Sequence, residues 1–371
     1  MRLNPILPLL LALSSCGTPR SGDARYEGPE EVQTLVRELD GPIPPGTPPD
    51  KLPETRLAEL GDEALPALAL AIRDPGKSQI RERAARALGY MHQRTGSEGA
   101  IQAYIVGVQK ATAVHARGLL AQAHRFRDSE GRILALVNAA LSEMGTITPG
   151  LVAAAGAMTD VESLEPMKRV VVLSRSEPTA PERDIALRYI GRAARRGWSD
   201  ALKFLLTCTQ AGNADIMEKA GKELSLVAGR VTPKSWSGWW LDHSAGDRRS
   251  WILEVLPPVG GRPFDPTDRD HLDDLILRVP ESDDAESEFW MIERLLGRAF
   301  GYQSPRDVFD PDVEPAALAE SNRRAVATLK AWWRESSPYV FYNPATDLFE
   351  VNEEGRRIGV PVDPKTGKPG R

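Results

Sequence analysis

The densest collection of side chains able to do chemistry lies at 265–274. Here Asp265, Asp268, Asp270, Asp273 and Asp274 surround a single histidine, His271. Carboxylates with an imidazole could hold a hard cation or activate water. The segment lacks the central glycine and terminal glutamate of a calcium-binding EF-hand loop, and acids also suit a helix N-terminus, whose dipole they face. His115, His124 and His243 have no partner at a spacing useful to a hydrolase. There is no GxSxG, no HExxH and no phosphate-binding loop. No residue is therefore assigned a catalytic or metal-binding role, and no cofactor is expected.

Two tryptophan clusters form the second group. Trp236, Trp239 and Trp240 fall within five residues, and Trp332 with Trp333 repeats the figure near the C-terminus. Two readings stand: the rings seal one end of a helical array, or they anchor a partner, as tryptophan does at interface hot spots. Stacking on carbohydrate is a variant of the second. Arg192, Arg195 and Arg196 cluster where a helix should end, and a solvated helix C-terminus accounts for them. Of the two cysteines, Cys208 sits in an apolar helical run and reads as a buried structural thiol. With a net charge of -5, the chain lacks the basic face of a nucleic-acid binder.

The elements that must position these residues are helices. Over 54–92, two amphipathic patterns flank the breaker Asp74-Pro75-Gly76. Leu57, Leu60, Leu65, Leu68 and Ile72 form one apolar stripe, and Ile80, Ala84, Leu88 and Met91 the other. One such pair cannot bury its apolar face alone, so it should stack on copies of itself. The second helix of each pair carries a small alanine, then a large apolar residue four positions on. This mark recurs as Ala84/Leu88, Ala116/Leu120, Ala154/Met158, Ala186/Ile190 and Ala220/Leu224. The first helices centre on Leu68, Ile101, Leu136, Val171 and Leu205. Breakers fall between them, including the run at 128–131, and Gly89 and Gly191 stand where C-terminal caps are expected.

Residues 60–68, the Asp74-Pro75 turn and the run Arg81, Ala84, Ala85, Leu88, Gly89 together resemble a bacterial HEAT repeat of the short kind found in phycobilisome-lyase-type proteins. Arg183 to Gly191 matches the last part of that signature. The resemblance covers 54–229, and implies an all-α fold: an α-α superhelix, or HEAT/armadillo-type solenoid, whose concave face contacts proteins.

The N-terminus resembles a bacterial lipoprotein signal. Arg2 precedes an apolar run, and Leu13-Ser14-Ser15-Cys16-Gly17 looks like a lipobox. The resemblance implies acylation of Cys16 after removal of residues 1–15, and Gly17 resembles proteins sorted to the outer membrane rather than kept at the inner one. The expected organisation is a signal peptide at 1–15, a lipidated tether and proline-rich linker at 16–53 with a short helix near 29–39, and HEAT-like repeats at 54–230. A Trp-rich helical region follows at 231–338, then a small β-hairpin with a loose basic tail at 339–371. The functional expectation is a non-enzymatic, membrane-anchored HEAT-repeat scaffold in the cell envelope, holding an unidentified protein partner. Trp236, Trp239, Trp240, Trp332 and Trp333 are its candidate contact residues. Two alternatives remain: an enzyme of lyase or metal-assisted type using the segment near His271, and a carbohydrate-binding envelope protein using the tryptophans.

Overall fold

The computed structural model describes residues 26, 28–126, 131–142, 147–159, 161–177, 179–280 and 285–369. The signal peptide, Cys16 and most of the tether lie outside these residues, as do three residues of the breaker at 128–131. The described residues form 18 α-helices and one two-stranded antiparallel sheet towards the C-terminal end, and the structure is 65% helical. It divides into two compact units, Met1–Ala186 and Leu187–Arg371. None of the described helices is long and apolar enough to cross a membrane.

In the first unit, α1 (Glu30–Glu38) buries Val32, Leu35 and Val36 against α2 (Pro53–Glu59), α3 (Leu65–Ala71) and α4 (Ser78–Thr95). The expected single helix before the Asp-Pro turn is two helices, α2 and α3. A 3₁₀ turn, Gly61–Glu63, separates them, and Gly61 takes a φ of +58° that a side chain would strain. In α4 the predicted stripe is fully used: Ile80, Ala84, Leu88 and Met91 are all buried. Its end is set by Gly96 in the left-handed conformation.

Next in the chain, α5 (Glu98–Lys110) touches α6 (Ala113–Leu120), and α7 (Arg132–Leu141) touches α8 (Pro149–Met158). They go on as α9 (Leu164–Leu173), α10 (Pro181–Arg195), and α11 (Ser199–Cys208) in contact with α12 (Ala214–Val227). The division between units falls inside α10. Most marker residues are buried, but Ala116, Leu136 and Met158 are only partly so. In α7 the inward face belongs to Ile133, Val137 and Leu141 instead.

Two features shared by α4 and α10 have a clear physical cause. Arg81 and Arg183 occupy corresponding first turns of α4 and α10, and both are buried. Arg81 donates to the Asp74 carbonyl, and Arg183 donates to the carbonyls of Ser174 at 2.7 Å and Glu177 at 2.9 Å. Each arginine thus satisfies carbonyls of the turn that enters its helix. Gly89 and Gly191 are not caps, because both lie inside their helices. A Cβ at 89 would stand 2.6 Å from Cβ of Arg125, and one at 191 would overlap the Glu223 carboxylate. Glycine is needed there for close approach.

The second unit continues with α13 (Trp236–His243), α14 (Arg248–Val255), α15 (Arg269–Arg278), α16 (Glu286–Leu296) and the long α17 (Pro315–Ser336). Its core gathers Ile252, Leu272, Ile276, Phe289, Leu295 and Leu329. Strands β1 (Val340–Asn343) and β2 (Leu348–Val351) pair antiparallel, with Val340 opposite Val351. A last short helix, α18 (Glu353–Ile358), follows. The tail is not loose up to residue 369. Asn352 Nδ2 donates to the Gly367 carbonyl at 2.8 Å, and Val362 bridges to Pro369. Gly367 packs so closely on the Phe341 ring that a Cβ would lie 2.7 Å from it.

Candidate functional site: an arginine-lined cleft

The arginines expected at a solvated helix end are the centre of a buried ion network. Arg188, Arg192 and Arg195 recur at four- and three-residue steps, so they share one face of α10. That face grips the segment running from Ser304 to Phe309. Arg188 donates to the carbonyls of Pro305, Arg306 and Val308 at 3.1–3.3 Å. Arg192 donates to the Asp307 carbonyl at 3.3 Å and lies over the Phe309 ring, 4.5 Å from its centroid. Only Arg196 is exposed as expected.

Arg195 is 4% exposed and meets three carboxylates. Its Nη1 donates to Glu223 at 2.9 Å, its Nε lies 3.0 Å from Glu286, and its Nη2 donates to Asp307. Glu223, wholly buried, also accepts from Arg306. Burial works against the charge on Arg195, but Asp307, Glu286 and Glu223 outweigh it and raise its pKa above the ordinary arginine value.

Beside this network opens a cleft of about 540 Å³. Its arginines are Arg195, Arg196, Arg248, Arg249 and Arg294, and its acids are Asp247, Glu286, Glu293 and Asp307. Phe289, Trp290 and Tyr302 supply aromatic surface, with Phe289 and Tyr302 stacked at 4.8 Å. Three helices build it, with Tyr302, Ser304 and Asp307 from the segment after α16. The C-terminus of α10 brings Arg195 and Arg196, the first turn of α14 brings Arg248 and Arg249, and α16 brings Glu286 to Arg294. Asp247 caps α14 in a reciprocal pair with Ser250. Arg248 donates its Nη1 to the Arg195 carbonyl at 3.2 Å, satisfying an otherwise orphaned helix-end carbonyl. Its guanidinium lies over Trp290, 4.3 Å from the ring centroid. Burial, together with the like charge of Arg195, pushes the Arg248 pKa down to about 10, against the pull of Glu286 and Asp307. Burial likewise raises the Glu293 carboxyl.

One sequence signal could have pointed here. Arg248 and Arg249 stand directly after an N-cap aspartate, where the helix dipole favours acids. Cations placed against that preference must be held by something else. Arg249 is held by Asp347, next to the hairpin turn.

The other expected sites are placed as follows. Trp239 is 8% exposed and stacks on His243 with ring centroids 4.6 Å apart. Trp236 and Trp251 meet it edge-on and Trp240 meets Trp251 in the same way, with Trp236 and Trp240 partly exposed. Trp333 is 2% exposed and donates its Nε1 to Asp273 at 2.5 Å. Trp332 is partly exposed and packs on Phe300. Each tryptophan group therefore has one ring in the interior and neighbours at the surface. Cys208 is buried.

In the acidic segment, Asp268 caps α15 by accepting from the Asp270 N–H at 2.9 Å. Asp265 accepts from the N–H and hydroxyl of Thr267, which holds its pKa below the usual carboxylate range. His271, buried, accepts at Nδ1 from the Asp265 N–H at 2.8 Å, which fixes the ring with its proton on Nε2. Asp274 pairs with Arg278 at 2.7 Å. These groups are spent on a helix end and its flanks. Chelation should accordingly leave thermal unfolding unchanged, and a clear fall in melting temperature with EDTA would contradict this assignment.

No protein-family model matches this chain, and no curated protein matches it.

Proposed function

We propose that this protein is a lipid-anchored scaffold of the bacterial cell envelope, an α-α superhelix of HEAT-like pairs that holds a protein partner near the membrane and performs no catalysis. The observation that carries the reading is the order of helix contacts in the first unit. There α4 touches α6, and α6 touches α8, while α3 touches α5 and α7 touches α9. Second helices follow second helices, as stacking of pairs requires. The corresponding roles of Arg81 and Arg183 support the same reading. The address rests on the lipobox-like residues 13–17. Acyl chains on Cys16 would each contribute about 0.8 kcal/mol per buried CH₂, enough in combination for stable anchoring. The tryptophans at the surface, Trp236, Trp240 and Trp332, remain contact candidates, because half-buried aromatic rings suit interface anchors.

The test is in-cell cross-linking followed by membrane fractionation. Wild-type protein should sediment with membranes and yield discrete cross-linked protein adducts. Cys16→Ser should move to the soluble fraction. Tight membrane association of Cys16→Ser, or absence of any adduct from the wild type, contradicts the proposal.

A further inference from the structure

We propose that α13 and the adjoining surface of α12 form a lipid-contact face, through which Leu241, Trp240 and Trp236 enter the headgroup layer of a bilayer. It presupposes the lipid anchor, which brings a membrane within reach of the chain. The face itself rests on geometry. Leu241 is 80% exposed, more than any other large apolar side chain among the described residues. On α13, Trp239 turns inward and stacks on His243, one turn further on. Two residues from Trp239, Leu241 points about 160° away from it around the helix. Trp240 stands about 100° from Leu241, and Trp236 lies one turn before Trp240. Both rings are partly exposed. Trp236 also reaches α12, where a Cβ at Gly221 would lie 3.1 Å from its Nε1. Met217, 40% exposed, is one turn before Gly221 on that helix. These four side chains form an apolar strip across two helices.

Three observations select a bilayer as the occupant. First, the interior rings Trp251 and Trp333 donate their N–H groups to protein oxygens, whereas those of Trp236 and Trp240 find no acceptor among the described residues. An indole with an apolar body and a free N–H suits the headgroup layer, where apolar and hydrogen-bonding groups meet. Second, Arg230 and Lys234 are exposed on the segment leading into α13 and have no ion-pair partner among the described residues. They complement anionic headgroups. The acid nearest the strip in sequence, Asp242, projects about 160° from Trp240 around the helix. Third, Leu241 stands clear of its surroundings. A folded partner would need a pocket fitted to it, while a bilayer admits a projecting apolar side chain without one. Trp236 and Trp240 are thereby assigned to lipid, and Trp332 is left to the protein partner.

The test uses residues 17–371, which lack Cys16 but keep every described residue, so the face is measured without the acyl chains. The protein is sedimented with vesicles of phosphatidylethanolamine and phosphatidylglycerol, and tryptophan quenching by brominated lipid is recorded. The wild-type face should bind these vesicles and be quenched. Leu241→Asp should weaken binding by at least about tenfold, because a carboxylate resists entry into the bilayer. Leu241 has little packing to lose, so this variant should melt with the wild type. Lys234→Glu should weaken binding to these vesicles and leave weaker binding to phosphatidylcholine vesicles unchanged. No binding up to about 10 mM lipid, binding without quenching, or full binding by folded Leu241→Asp overturns the proposal. Self-association that Leu241→Asp abolishes, with no vesicle binding, gives the face to a second copy and also overturns it. Vesicle binding with an unacylated Cys16 in cells refutes the anchor alone, and acylated Cys16 without vesicle binding refutes the face alone.

Discussion

Arg195→Ala is expected to destabilise the second unit by about 3–5 kcal/mol, because it leaves the buried Glu223 and the half-buried Glu286 and Asp307 without their shared counter-charge. Glu223 is wholly buried and would keep only Arg306, while Glu286 would face Arg248 at 3.8 Å. Asp307 would lose an ion pair that anchors the segment from Ser304 to Phe309. The measurement is convenient, since all eight tryptophans, from Trp198 to Trp333, lie in this unit. Denaturant unfolding followed by their fluorescence therefore reports the second unit, whereas far-UV circular dichroism reports both. A loss below about 1 kcal/mol would mean that the network is open to water and behaves as a surface ion pair. The cost should reflect stranded charge rather than lost attraction, so Arg195→Met combined with Glu223→Gln should be less damaging than Arg195→Ala alone.

Leu88→Ala is the second large effect, at about 2–5 kcal/mol for a fully buried leucine truncated in a packed core. Leu88 is 0% exposed on α4, which touches α1, α2, α3, α5 and α6, so the cavity would open inside the core of the first unit. The transition read by circular dichroism should shift accordingly. A change under about 0.5 kcal/mol would place this face of α4 in water and remove the support for the proposed stacking of helix pairs.

How far the fold was legible follows from where its determinants lie. The Leu68 and Leu88 stripes, the Asp-Pro turn and the 339–351 hairpin are specified by residues within a few positions of one another, and the expected elements are present. The break between α2 and α3 was also local, in Gly61, but the apolar stripe runs across it and hides it. The Arg195 site was not legible. Spacing places Arg188, Arg192 and Arg195 on one helix face, and such a face looks solvated until something covers it. Its cover is a segment more than a hundred residues later in the chain, joined by Glu223 from α12. Gly89 and Gly191 were misread for the same reason: their need for space arises from Arg125 and Glu223 on later elements. The tail likewise reads as loose and basic, yet its backbone bonds to the hairpin region fix it up to Pro369.

The central claim, a lipid-anchored protein built from stacked helix pairs, is tested most directly at its N-terminus. Intact mass spectrometry of the protein purified from membranes, with sequencing of its N-terminal peptide, should find a chain that begins at Cys16 and carries acyl groups on the sulfur and the amine. An unacylated Cys16, or a mature chain that starts elsewhere, would contradict the account.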